Sequence, residues 1–123
     1  MTAKQNKAAA VRALEDLNGT ERERFFALYA PDVELHGYPL GITTLDELRA
    51  YYAELWETYP DARVEVIDAV AETDFVAVRF IWHGGDVSAP GLLLLRFDDD
   101  GRVVERWQES SELAVLRAAA LVG

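Results

Sequence analysis

Asp74-Phe75-Val76-Ala77-Val78-Arg79-Phe80-Ile81-Trp82-His83-Gly84-Gly85 opens the stretch that decides the fold. It continues through Gly91-Leu92-Leu93-Leu94-Leu95-Arg96-Phe97, turns on Asp98-Asp99-Asp100-Gly101, and leaves as Arg102-Val103-Val104-Glu105-Arg106-Trp107. These are β-branched and aromatic runs of strand length divided by turn residues. With a period of two, Val76, Val78, Phe80 and Trp82 share one face of the first run, and Ala77, Arg79, Ile81 and His83 the other. Gly101 supplies the positive φ of a tight turn. The stretch reads as an antiparallel meander that floors a pocket.

The chain before the meander reads mostly as helix. Val11, Leu14 and Leu17 fall at helical spacing over about 4–17, and Asn18-Gly19 ends that helix. Thr20 with Glu23 has the form of a capping box for a second helix reaching about Tyr29, which Pro31 stops. Val33 to Tyr38 alternates as a short strand. Thr44 and Glu47 form another capping box, and Leu45, Leu48, Tyr52, Leu55, Trp56 and Tyr59 make one apolar stripe behind it. Arg63 to Val70 alternates as a strand, and Glu112 to Leu121 reads as a short Ala-rich helix. The order α-α-β-α-β-β-β-β implies a single α+β domain over 1–123. In it, helices are segregated to the concave face of a curved, largely antiparallel sheet, a cone with one open end.

Composition excludes several classes. The 123 residues carry a net charge of −10, which argues against binding nucleic acid or an anionic membrane surface. Without cysteine there is no disulfide or thiolate site. The polar start, Met1 to Lys7, lacks a signal-peptide core, and no run approaches the ~20 apolar residues of a membrane span. The expectation is a soluble cytoplasmic chain. No zinc motif, EF-hand spacing, phosphate loop, nucleophile elbow or dinucleotide fingerprint occurs.

The chain resembles the SnoaL-like polyketide cyclase family of the NTF2-like superfamily. The resemblance rests on Leu28 to Gly37, Tyr59 to Val66, Asp74 to Phe80 and Leu95 to Trp107, which together span nearly the whole chain in order. It implies a cone-shaped α+β barrel of the NTF2-like or cystatin-like kind, often dimeric through its sheet. It also implies acid/base chemistry on small molecules without a metal or organic cofactor. Relatives commonly place acidic residues where this chain has Gln108 and Ser111, and Glu109 is the nearest substitute. The connection between the two central strands, Gly84 to Pro90, is short for the family.

His36 and Glu109 are the candidate catalytic residues, one a near-neutral titrating imidazole, the other a carboxylate whose pKa burial would raise. Glu105 shares a face with Glu109 and Trp107 if the strand runs straight. Tyr29 and Tyr38 offer hydroxyls to orient a carbonyl. Tyr52, Trp56, Phe80, Trp82 and Trp107 are candidates to line a site for a small, flat, apolar molecule. Each has a plainer alternative: a structural histidine, a glutamate paired with arginine, a core aromatic. Arg79, in mid-strand, needs a partner among Glu65, Asp68 and Glu105. Three readings follow. They are a cofactor-free cyclase or isomerase acting beside a carbonyl, with an epoxide-hydrolase-type hydrolase as a variant; a non-catalytic binder of a small apolar ligand; and a chain whose outer sheet face, with Ala77, Ile81 and Leu92 to Leu95, pairs in a homodimer.

Overall fold

The computed structural model describes residues 1–38 and 41–110. The elements run α1 (Ala3–Asp16), α2 (Glu23–Ala27), β1 (Tyr29–His36), α3 (Leu45–Thr58), β2 (Arg63–Glu72), β3 (Phe75–Gly84), β4 (Val87–Phe97) and β5 (Val103–Ser110). This is the expected α+β order; the reading of a helix over Glu112 to Leu121 lies outside the described residues. One mixed five-stranded sheet has the order β1-β5-β4-β3-β2. Every pairing is antiparallel except β1 with β5. The sheet is not closed: β1 and β2 are its edges, so the cone is a curved layer rather than a barrel.

Local chemistry accounts for most element ends. Thr44 and Glu47 make both hydrogen bonds of the expected capping box, and Thr2 with Gln5 makes another that the sequence reading passed over. The box expected at Thr20 does not form. Here α2 begins after Arg22 with no side-chain cap, and Glu23 pairs with Arg49 of α3 instead. Strand β1 starts at Tyr29, not Val33, and runs through Pro31, which an edge strand tolerates because its N–H side is unpaired. The hairpin between β3 and β4 is tighter than expected, with Gly85-Asp86 turning and Val87 to Pro90 already in strand. At the next hairpin Gly101 sits at φ +80° as read, and the Asp98 carboxylate accepts from the amides of Asp100 and Arg102 at 2.9 and 3.0 Å.

The core lies between the concave face of the sheet and the helices. Val76, Val78, Phe80 and Trp82 of β3, Leu93, Leu95 and Phe97 of β4, and Val33 and Leu35 of β1 are buried there. Against them pack Ala10, Ala13 and Leu14 of α1, Phe25 and Phe26 of α2, and Leu48, Tyr51, Tyr52 and Leu55 of α3. Burial of this apolar surface is the main force holding the layers together. Asn18, just past α1, exchanges two hydrogen bonds with the Val64 backbone at 2.6 and 2.8 Å, which satisfies part of the β2 edge. No helix among the described residues is long and apolar enough to cross a membrane.

Among the described residues three strands carry surplus residues. In β1 the register with β5 shifts between Tyr29, opposite Val103, and Glu34, opposite Glu105. In β2 the register with β3 shifts between Val66 and Asp68. In β5 it shifts where Phe97 pairs with Val103 but Arg96 pairs with Glu105. Such a bulge reverses which side chains face inward beyond it. Val103 and Arg106, three residues apart, are therefore both buried.

The end of β1 depends on Gly37. Its φ is +87°, and a Cβ there would fall 2.0 Å from the backbone oxygen of Gln108. No side chain relieves that overlap, because the obstacle is main chain. Gly37→Ala is expected to cost more than about 3 kcal/mol, the left-handed penalty plus displacement of β5. Urea denaturation checks this, and a loss below ~1 kcal/mol would contradict the close approach.

Candidate functional site

A narrow hollow lies between the sheet and the helices. Its wall is apolar on most sides: Leu14 from α1, Tyr51, Tyr52 and Leu55 from α3, Val64 from β2, Phe80 and Trp82 from β3, and Ala89 and Leu93 from β4. Strand β5 contributes the polar side, Arg106, Gln108 and Ser110. The space open to a water's centre is about 20 Å³, room for a single water. The interior is thus nearly filled, and the expected pocket is reduced to this small space.

Arg106 is the centre of the polar side and is 1% exposed. Its Nη1 donates to the Tyr29 hydroxyl at 2.6 Å, and its Nη2 donates to the Tyr52 hydroxyl at 3.5 Å and to Gln108 Oε1. The guanidinium also lies 5.2 to 5.8 Å from the ring centres of Tyr38, Phe25 and Tyr29, within cation–π range. Its Nε has no partner among the described residues. Among the described residues no carboxylate pairs with it. Gln108 Oε1 also accepts from the Tyr38 hydroxyl at 2.9 Å, and Gln108 Nε2 donates to Ser110 Oγ at 3.3 Å. Burial pushes the Tyr29 phenol up to about 12, against the lowering pull of Arg106, so it stays neutral. Burial works against the charge on Arg106, yet the oxygens of Tyr29, Tyr38 and Tyr52 hold its pKa above the ordinary arginine value. The hollow therefore carries a fixed positive charge cradled by neutral oxygens and ring faces.

The expected site residues divide between two faces. Tyr52, Phe80 and Trp82 line the hollow. Tyr29 and Tyr38 meet the Arg106 cluster. Trp56 stacks on Tyr52 from outside at 5.7 Å, with the Arg22 guanidinium 3.9 Å from its ring centre. His36, Trp107 and Glu109 do not line the hollow. The β5 bulge turns Glu105, Trp107 and Glu109 to the outer face, and β1 presents His36 beside them. There the His36 ring stacks on Trp107 at 5.3 Å, with its side chain 43% exposed. His36 Nε2 lies 2.9 Å from Glu105, which also accepts from Arg96 Nε at 3.2 Å. Glu34, His36 and Glu105 bring three ligand atoms within 4.8 Å of one another, a set that Arg96 already competes for. His83 is not free at a turn, since it bonds Glu65 and Ser88 at 2.9 and 3.0 Å. Arg79 pairs with Asp68 as read, but on the solvent side. The sequence reading passed over Arg106, because no residue type marks the surplus position in β5, and it singled out Gln108 only as a place where relatives carry an acid.

A family model for the SnoaL-like domain matches residues 10–106. The chain belongs to the SnoaL-like family. Solved structures agree on the fold. AclR of Streptomyces galilaeus, a proposed hydroxylase, is 21% identical with a TM-score of 0.81, over 99% of this chain and 100% of that one. IdmH of Streptomyces antibioticus, a proposed polyketide cyclase, is 23% identical with a TM-score of 0.77, over 96% and 99%. A proposed ketosteroid isomerase of Kribbella flavida is 28% identical with a TM-score of 0.67, over 86% and 77%. No curated protein matches the chain. This SnoaL-like domain thus places a guanidinium and an amide inside, at Arg106 and Gln108, and turns Glu105 and Glu109 outside.

The outer cluster has a pH signature. Chiefly the hydrogen bond from His36, and then Arg96, hold the Glu105 carboxyl below its ordinary value of 4.5. A carboxyl depressed in the folded state contributes stability above its unfolded pKa, and that contribution is lost as pH falls through the folded one. Glu105→Gln is therefore less stable than the parent at neutral pH, and the gap closes as pH falls below 4.5 through the depressed folded value. Thermal melts from pH 3 to 7 check this, and a constant gap across the range would refute it.

Proposed function

We propose that this SnoaL-like chain is a small-molecule pocket protein that takes a compact, largely apolar carbonyl compound into the hollow by displacing apolar side chains of its wall, and binds it without turning it over. The observation that carries this reading is the wall itself. It offers a guanidinium and phenols to a ligand oxygen, and among the described residues it offers no carboxylate or imidazole to remove a proton. Proton transfer at carbon requires a base within hydrogen-bond reach. An epoxide-hydrolase mechanism is less well supported, since Arg106 has phenols and an amide beside it rather than two carboxylates.

Acid/base catalysis, as an aldol-type cyclase or isomerase, is the second reading. The donors around Arg106 favour it, because the same groups that polarise a carbonyl stabilise an enolate. Deuterium exchange separates the two. With small cyclic ketones in D₂O, NMR line broadening is expected to report binding, with no accelerated loss of the protons beside the carbonyl. Ala89→Leu, which fills the hollow, is expected to remove the broadening at a cost of about 1–3 kcal/mol in stability. Exchange accelerated by the wild type and abolished by Ala89→Leu would establish the catalytic reading instead. Absence of any broadening would refute both.

The outer face supports a homodimer. Val70, Ala77, Leu94, Trp107 and His36 form one row across all five strands. Val70 and Leu92 are 69% and 55% exposed, with Phe75 nearby. A contiguous apolar patch on a sheet is a pairing surface. Sedimentation is expected to give a dimer for the wild type and a monomer for Leu92→Lys. A monomeric wild type at 100-fold the concentration of the melts would refute the pairing.

A further inference from the structure

The geometry points to a small organic carboxylate, or the carboxylate end of a larger apolar acid, as the ligand that Arg106 receives in the hollow. This rests on the small-molecule reading above and narrows it to an anionic class. The argument begins with charge. A guanidinium 1% exposed is costly to bury, and buried charges are normally paired. Among the described residues the side chains that surround Arg106 are neutral: Tyr29, Tyr52 and Gln108 accept from it, and Tyr38 presents a ring face. These acceptors solvate the cation without cancelling it.

Geometry supplies the second step. A guanidinium has five N–H donors in one plane, and the Tyr29, Tyr52 and Gln108 oxygens use its two terminal nitrogens. Nε is left without a partner among the described residues although it is buried. A carboxylate binds an arginine side-on through Nε and one Nη, two parallel bonds that no neutral carbonyl oxygen reproduces. The hollow beside Arg106 has room for a group of about water size. A carboxylate is larger than a water, so it enters head first by displacing apolar side chains of the wall, and a larger acid displaces more of them behind it.

Gln108 gives the sharpest handle. It stands against Arg106, so a carboxylate in its place would be a built-in counter-ion. The experiment uses two probe pairs matched in shape, acetate with acetamide and benzoate with benzamide, in chloride-free buffer at constant ionic strength. Affinity is read by intrinsic tryptophan fluorescence and by thermal shift, with Trp82 in the wall as reporter. In the wild type at least one acid is expected to bind tenfold or more tightly than its amide. Arg106→Met is expected to remove that preference. Gln108→Glu is expected to remove it as well while raising the melting temperature, which keeps the test valid if Arg106→Met does not fold.

Equal affinity of acid and amide in both pairs would overturn the anionic class and leave the small-molecule reading standing. A preference that survives in Gln108→Glu would also overturn it, because the acid would then be binding elsewhere. If none of the four probes binds, the hollow is not a ligand site, and both readings fall.

Discussion

A single surplus residue in β5 decides what the interior receives. Strands alternate their side chains between faces, so a straight run from Val103 would send Glu105, Trp107 and Glu109 inward with it. Instead Val103 opposes Phe97 while Glu105 opposes Arg96, and the alternation restarts one residue late. Arg106, Gln108 and Ser110 turn inward, and the glutamates turn out. The chemical character of the hollow changes from acidic to cationic through that one insertion. A bulge costs a ladder hydrogen bond and adds local twist, which a curved sheet absorbs at its bend.

Everything at the polar end of the core is then arranged about the buried guanidinium. Tyr29 comes from the start of β1, Tyr38 from just beyond its end, Tyr52 from α3 and Gln108 from β5 itself. Arg106 thus joins a strand edge, a helix and the segment after β1 through one side chain. The positive φ of Gly37 lets the chain turn close against the Gln108 backbone, so the Tyr38 hydroxyl reaches the Gln108 amide. A buried charge held by neutral oxygens and ring faces is a weaker source of stability than a tight apolar core. Its place in the wall of the hollow is what the proposed ligand chemistry rests on.

The two faces of the sheet do different work. The concave face holds the core and the hollow. The convex face carries Val70, Phe75, Ala77, Leu92 and Leu94 beside the His36–Glu105–Arg96 cluster. The imidazole and carboxylate there are satisfied by one another and by Arg96, in contact with solvent. Ionisable side chains that the sequence offers for proton transfer are in this way used to organise the edge where β1 meets β5.

Much of the fold was legible in the sequence because its signals are local. The alternation of β3, the Asp98–Gly101 turn and the Thr44–Glu47 box each depend on neighbours a few residues away and appear as read, and the apolar stripe of α3 does so with Tyr51 added to its buried members. The order of elements and the family followed from them. Tyr52, Phe80 and Trp82 reached the hollow because their strand or helix faces are set by simple periodicity. The capping box at Thr20 failed because Glu23 found Arg49 across the fold. Which face of β5 points inward was not in the sequence at all, since Glu105-Arg106-Trp107-Gln108-Glu109 is polar on both sides of its alternation. Only the pairing with β4 fixes the surplus residue, and with it the choice of Arg106 over the glutamates as the charge inside. Periodicity is a property of the chain alone, whereas register is a property of two strands in contact.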